Sequence, residues 1–176
     1  MTLRVVLSIA TLSATTQIAA TTPRTTGGRP ADRVTLTRVP DDGIQPQVAQ
    51  DRSGQVHLIY FKGDAAHGDL FYTRFDPKNP RYAAPLRVNE PGTALATGTV
   101  RGGHLAIGRN GRVHVAWAGS DRAKPQGPEY LKPMLYTRLN DSGEAFEAPR
   151  NLVAKFGNGL DGGSIAADQT GDVFVV

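Results

Sequence analysis

PQVAQDRSGQVHLIY, from Pro46 to Tyr60, and GHLAIGRNGRVHVAW, from Gly103 to Trp117, are one pattern written twice. GSIAADQTGDVFVV, from Gly163 to Val176, writes it a third time. The three align on Gly54, Gly111 and Gly171, so the repeat is 57 and then 60 residues long. Six positions before the glycine stands an aliphatic residue (Val48, Leu105, Ile165), and five before it an alanine (Ala49, Ala106, Ala166). Apolar residues follow at two and four positions after it: Val56 and Leu58, Val113 and Val115, Val173 and Val175. A large aromatic, Tyr60 or Trp117, closes the first two copies. An apolar run, a polar glycine turn and a second β-branched run predict a hairpin each time.

Working downstream, LFYTR (Leu70–Arg74) matches MLYTR (Met134–Arg138), which predicts a third strand. YAAPLRV (Tyr82–Val88) matches FEAPRNL (Phe146–Leu152), a predicted fourth strand opening on an aromatic and holding a proline. Four strands in a unit of this length are the signature of a β-propeller blade. A β-sandwich also turns often, but it does not repeat its side chains in register. The expected fold class is therefore all-β, a propeller of four-stranded blades spanning 33–176, with about 2.5 blades present. Blades bury both faces against neighbours, so this chain is expected to be part of a longer protein. Val34–Val39 (VTLTRV) alternates like a strand and is the expected outer strand of the last blade, closing the ring, with its partners in sequence beyond this chain.

Upstream the pattern stops. Met1–Arg4 is short and positive, Val5–Ala14 (VVLSIATLSA) is apolar, and Ile18–Ala20 supplies small residues. That order predicts a signal peptide over 1–20 and a secreted or periplasmic protein. Thr21–Asp32 (TTPRTTGGRPAD) has no apolar periodicity and reads as a linker.

Composition then excludes whole classes of chemistry. With no Cys among 176 residues there is no disulfide framework, thiolate metal site or Cys nucleophile. No cluster of His with Asp or Glu has metal-ligand spacing, so neither a metal nor another cofactor is expected. The net charge of +4 is scattered rather than gathered in a stripe, which argues against a nucleic-acid partner. No apolar run is long enough to span a membrane.

The blade length, strand order and turn between third and fourth strands resemble the sialidase (BNR-repeat) propellers. Their Asp-box turn runs Ser-x-Asp-x-Gly-x-Thr-Trp. LNDSGEAF (Leu139–Phe146) keeps Asp141, Gly143 and a terminal aromatic, while FDPKNPRY (Phe75–Tyr82) departs further. The resemblance covers the chain from about Val34 onward and implies six blades in a complete ring. It also implies a glycoside hydrolase acting on glycans, whose first-blade arginine grips the substrate carboxylate as a planar fork. Two positions compete for that role: Arg38, in Thr37-Arg38-Val39-Pro40, and Ile44, on which a count back from Gly54 lands. In the second case the arginine is absent.

The resemblance further places an acid/base aspartate in the loop after the second strand. Lys62–Asp69 (KGDAAHGD) offers Asp64 and Asp69, with Lys62 as a cation for substrate. Desolvation would raise such a carboxyl toward glycosidic proton transfer; equally, Gly63-Asp64 and Gly68-Asp69 suit ordinary loop turns. His104 beside an inner strand, and Arg122 and Tyr130 in the longer loop Gly119–Pro133, complete the candidate substrate-binding set. His57 and His114 fall at one repeat position with Phe174, which points to packing between blades rather than metal ligation. Arg74 and Arg138 recur after Tyr-Thr and are expected to make repeated structural contacts. The function expected is thus a sialidase-like propeller, with a non-catalytic propeller binding glycan, glycoprotein or another protein through its mouth loops as the alternative.

Overall fold

The computed structural model describes residues 35–96, 102–124, 126, 132–153 and 163–176. The expected signal peptide, the linker and Tyr130 lie outside them. The chain divides into two units, Met1–Leu36 and Thr37–Val176. Of the first, only Thr35 and Leu36 are described, and Leu36 is almost fully exposed. Of the strand expected over Val34–Val39, residues 35–39 carry no regular structure and pair with no other described residue. Alternation alone makes no strand where no partner edge is present to satisfy its backbone.

The second unit is all-β and antiparallel among its described residues. The first sheet holds β1 (Ile44–Gln50), β2 (Val56–Lys62), β3 (Asp69–Asp76) and β4 (Arg81–Tyr82), side by side in chain order, with β5 (Leu86–Arg87) also on β3. The second repeats the order with β6 (His104–Ile107), β7 (Val113–Ala118), β8 (Met134–Arg138) and β9 (Arg150–Asn151). A third pairs β10 (Ile165–Ala167) with β11 (Val173–Val175).

All three aligned glycines turn left-handed, at φ +87°, +71° and +114°, where any side chain would be strained. One backbone bond recurs across each turn: Asp51 N–H to Gln55, Gly108 N–H to Arg112 and Asp168 N–H to Asp172, at 2.9–3.0 Å. The repeat read from sequence is therefore a repeat of hydrogen bonds. The fourth strand differs from expectation, because it breaks around its proline. Pro85 separates β4 from β5, and Pro149 separates the Leu139–Phe146 bridge from β9. Proline has no N–H to give the ladder, so pairing stops and resumes beyond it.

The first two sheets bury both faces of their second strands. On one face of the first sheet Ile59, Phe61, Leu70 and Tyr72 join Leu105, Val113, Val115, Trp117 and Leu135 of the second in a single core. The second sheet's other face sends Ala116 and Met134 against Ile165 and Val175 of the third. β1 lies beside β6, and β6 beside β10. That closeness requires small residues at the crossings. A Cβ on Gly103 would stand 2.6 Å from Leu70 Cδ1, and one on Gly163 2.9 Å from Met134 Cε. Burying each large side chain of these cores contributes about 1.5–3 kcal/mol.

The histidines belong to this packing. His57 and His114 are nearly inaccessible. Each offers Nδ1 to a tyrosine hydroxyl on the neighbouring strand, Tyr72 at 2.7 Å and Tyr136 at 2.8 Å, with the rings stacked. Tyr72 in turn meets Phe146 of the second sheet edge-on. The adjacent threonines repeat as well, Thr73 donating to the Ala83 carbonyl and Thr137 to that of Glu147.

Candidate functional site

Strand register sorts the loops onto two ends of the sheets. Val56 pairs with Phe75 and Lys62 with Asp69, so the glycine turns lie at one end and the loop 63–68 at the other. At the loop end the segment leaving the first sheet is stitched between both. Gly68 and Ala94 exchange two backbone bonds at 3.0 Å, Leu95 N–H reaches the Ala118 carbonyl, and Ser120 N–H reaches Thr93. This Gly68–Ala94–Gly119 ladder brings the loops after β2 and β7 together.

The candidate side chains then separate. Asp69 faces inward along the stitch: its Oδ1 accepts from Gly92 N–H at 2.7 Å and Asn89 Nδ2 at 3.2 Å, with Arg87 Nε 3.8 Å from Oδ2. Asn89 Oδ1 accepts the Leu70 N–H at 2.7 Å, and its amide also donates to the Thr93 hydroxyl. Asp69 thus holds the crossing segment in place. Asp64 is exposed, with one oxygen capping the Ala66 N–H at 2.8 Å. Between them His67 Nδ1 lies 3.2 Å from Asp121 Oδ1 on the second sheet's loop, close but without hydrogen-bond geometry. Arg122 lays its guanidinium beside Gly92, whose carbonyl accepts from the Ser120 hydroxyl. Lys62 is exposed where β2 ends. One rim therefore carries Lys62, Asp64, His67, Asp121 and Arg122, while Asp69 is spent on the scaffold beneath it.

The entry to β1 is the second part of this end. Asp41, Asp42 and Gln45 all have φ between +51° and +56°, an unusual concentration for residues other than glycine. Buried Tyr60 donates to Asp41 at 3.2 Å, and burial first, then that carboxylate, raises its pKa. Ile44 pairs with Phe61 at the loop end and is half exposed. Arg38 is exposed on the irregular segment outside every sheet. His104 is half-buried where β6 lies beside β1, its Nδ1 accepting from Gln47 Nε2 at 3.0 Å. Gln47 also accepts the Leu105 N–H, so one amide ties β1 to β6.

Sequence reasoning missed Asn89, Thr93 and Gln47. The signal for the first two was present in Asn89-Glu90-Pro91-Gly92-Thr93, a turn composition with side chains that bond their own backbone. Gln47 carried no signal, since its role depends on a strand 57 residues away. Arg138 makes the structural contact expected of it, bonding Glu147 at 2.8 Å, whereas Arg74 has no carboxylate within ion-pair distance among the described residues. No group of three metal-ligating side chains occurs among the described residues, nor any helix long and apolar enough to cross a membrane. Compared with known proteins, the chain matches no family model and no curated sequence.

Proposed function

We propose that these sheets are successive blades of a sialidase-like β-propeller that acts outside the cytoplasm and binds glycans at its loop end. The observation that carries this reading is the Gly68–Ala94–Gly119 ladder, which gathers Lys62, Asp64, His67, Asp121 and Arg122 on one rim. Support for the propeller comes from inner strands β1, β6 and β10 lying side by side, with sheets packed face on face in chain order. A rim of mixed carboxylates and cations on a rigid scaffold suits the dense hydroxyls of a carbohydrate, which need donors and acceptors together.

Asp64 spends one oxygen on the Ala66 N–H and keeps the other toward solvent, and in the loop after the second strand it is the residue for acid/base work if the protein cleaves glycosides. Asp69 is occupied by Gly92 and Asn89. Ile44 stands at the inner-strand end where the resemblance calls for a carboxylate-gripping arginine, so a contact of roughly 1.5–3 kcal/mol is missing. A sialic acid should therefore be a poor substrate and a neutral glycan a better ligand. The test pairs hydrolysis of a fluorogenic sialoside with binding to a panel of neutral and acidic glycans. Neutral glycan binding weakened about tenfold by Asp64→Ala, with little sialoside turnover, is the expected result. Sialoside turnover abolished by Arg38→Ala would instead make Arg38 the grip and overturn the register count from Gly54.

A further inference from the structure

At the opposite, turn end, the two full sheets differ in one respect that defines a ligand. In the second sheet the Glu147 carboxylate is surrounded by arginines: Arg138 Nε at 2.8 Å, Arg150 Nη2 at 3.5 Å and Arg112 Nη1 at 3.9 Å. The residues at the matching positions of the first sheet are Ala83 for Glu147, Arg74 for Arg138, Leu86 for Arg150 and Gln55 for Arg112. The arginine persists and its carboxylate does not. Arg81, at the position of Ala145, brings a second guanidinium to the same place. Gln55, Arg74, Asp76, Arg81, Tyr82 and Ala83 line an open cleft of about 340 Å³ there.

We propose that this cleft is a carboxylate-binding site, and that Glu147 in its own repeat shows the ligand's chemistry and placement. Neither Arg74 nor Arg81 has a carboxylate within ion-pair distance among the described residues. Asp76, the acidic member of the lining, turns Oδ1 to the Lys78 N–H at 2.9 Å, capping its own turn. Tyr82, packed on Phe75 with centroids 5.0 Å apart, gives the cleft an apolar wall for the methylenes of an acidic side chain. Gln55 is fixed by its amide, which donates to the Phe75 carbonyl at 2.8 Å. A guanidinium holds a carboxylate through two parallel N–H bonds, a selectivity that neutral amides do not share. The site lies at the far end of the strands from the rim around Asp64, so it stands or falls independently of glycan binding.

The experiment is an NMR titration of the full chain, following arginine Nε–H resonances. The probes are N-acetylglutamate, a short end-capped peptide carrying one glutamate, and N-acetylglutamine N-methylamide, which has no carboxylate, as the neutral control. Saturable shifts at Arg74 and Arg81 with both acidic probes and none with glutamine are expected. Equal affinity for the two would mean that the carboxylate alone is recognised; a peptide bound tenfold tighter would identify an acidic segment of a partner. Arg74→Gln should weaken binding at least tenfold. Ala83→Glu should abolish it by supplying the carboxylate in cis, moving the Arg74 resonance toward that of Arg138. Equal shifts with glutamine, or undiminished binding in both variants, would overturn the site.

Discussion

The first two sheets share a plan down to single hydrogen bonds, yet they settle their buried polar groups differently. In both, a histidine Nδ1 meets a tyrosine hydroxyl. In the first, the other ring nitrogen has an acidic partner, Asp51 Oδ2 at 3.3 Å from His57 Nε2. The tautomer that satisfies both contacts has Tyr72 donating to Nδ1 and Nε2–H donating to Asp51. In the second sheet Gly108 replaces that aspartate, and its lack of a Cβ is what admits His114: a Cβ there would sit 2.8 Å from Nε2. The third turn restores the acid, Asp168, but has Phe174 in place of the histidine. The repeat conserves backbone pairing while the side chains vary in compensating sets, because packing fixes the space and satisfaction of polar atoms fixes what fills it.

The largest expected difference lies in the tyrosines. Tyr72 is buried against His57 and Phe146 at the junction of two sheets, whereas Tyr136 is only half-buried. Tyr72→Ala should cost about 3–5 kcal/mol and Tyr136→Ala clearly less. Urea unfolding at an unchanged slope measures both. Equal losses would mean that the two junctions are equally buried and would break the asymmetry.

Next in size is the exchange of the turn residues themselves. Gly108→Asp imports the first turn's acid into the second. Its Cβ would meet His114 Nε2 at 2.8 Å and the Ala167 Cβ at 3.2 Å, and the latter is anchored to backbone. We expect a loss of about 1–3 kcal/mol from this overpacking. A stabilised protein would show that His114 gains more from an acidic partner than the junction loses in fit.

Sequence alone showed the repeat, all three hairpins and the third strands, since these rest on local alternation and on glycines that must turn left-handed. Leu70–Arg74 and Met134–Arg138 lie within or coincide with observed strands for that reason. What it did not show depends on partners distant in the chain. Asp69 reads as a free loop carboxylate until Gly92 is folded over it, and His67 meets Asp121 only because Ala94 joins two sheets. Residues 35–39 of the expected strand at Val34–Val39 alternate suitably but pair with no described strand. The breaks at Pro85 and Pro149 are legible in the sequence, because a residue without an N–H interrupts a ladder whatever β-formers surround it.

Acid titration sharpens the contrast between hairpins. Burial, the dominant influence, lowers the pKa of both His57 and His114 below 6.5; Arg112 and Arg138 add to it at His114, while Asp51 opposes it at His57. The unfolded chain therefore takes up these protons first, so stability falls as pH drops below about 6.5 and is level above it. Asp51 behaves as a depressed acid, lowered to about 2 mainly by the Ser53 hydroxyl bond. Its contribution is present above pH 3.8 and lost as pH falls toward 2. His57→Gln keeps an acceptor for Tyr72 and should flatten part of the upper step. Asp51→Asn should keep the turn, as Asn140 does in its own, and remove the lower one. A lower step unchanged in Asp51→Asn would assign it to other carboxylates.

The smallest effect concerns the arginine clusters at the turn end. Glu147 is about a third exposed, and so are its partners or more, so solvent screens each pair. Exposed pairs contribute about 0.2–1 kcal/mol, and Glu147→Ala should cost an amount in that range. The reason to make it lies elsewhere. The variant gives the second sheet the composition of the first at this position, leaving Arg112, Arg138 and Arg150 without their shared carboxylate. If the turn-end cleft of the first sheet binds a carboxylate because its repeat partner carries one, Glu147→Ala should create a second such site. N-acetylglutamate would then shift Arg138 as well as Arg74, at two sites per chain. Ala83→Glu should do the reverse, gaining a few tenths of a kcal/mol and leaving none. A variant in which Arg138 ignores added carboxylate would show that the match between the sheets is one of backbone alone at this end.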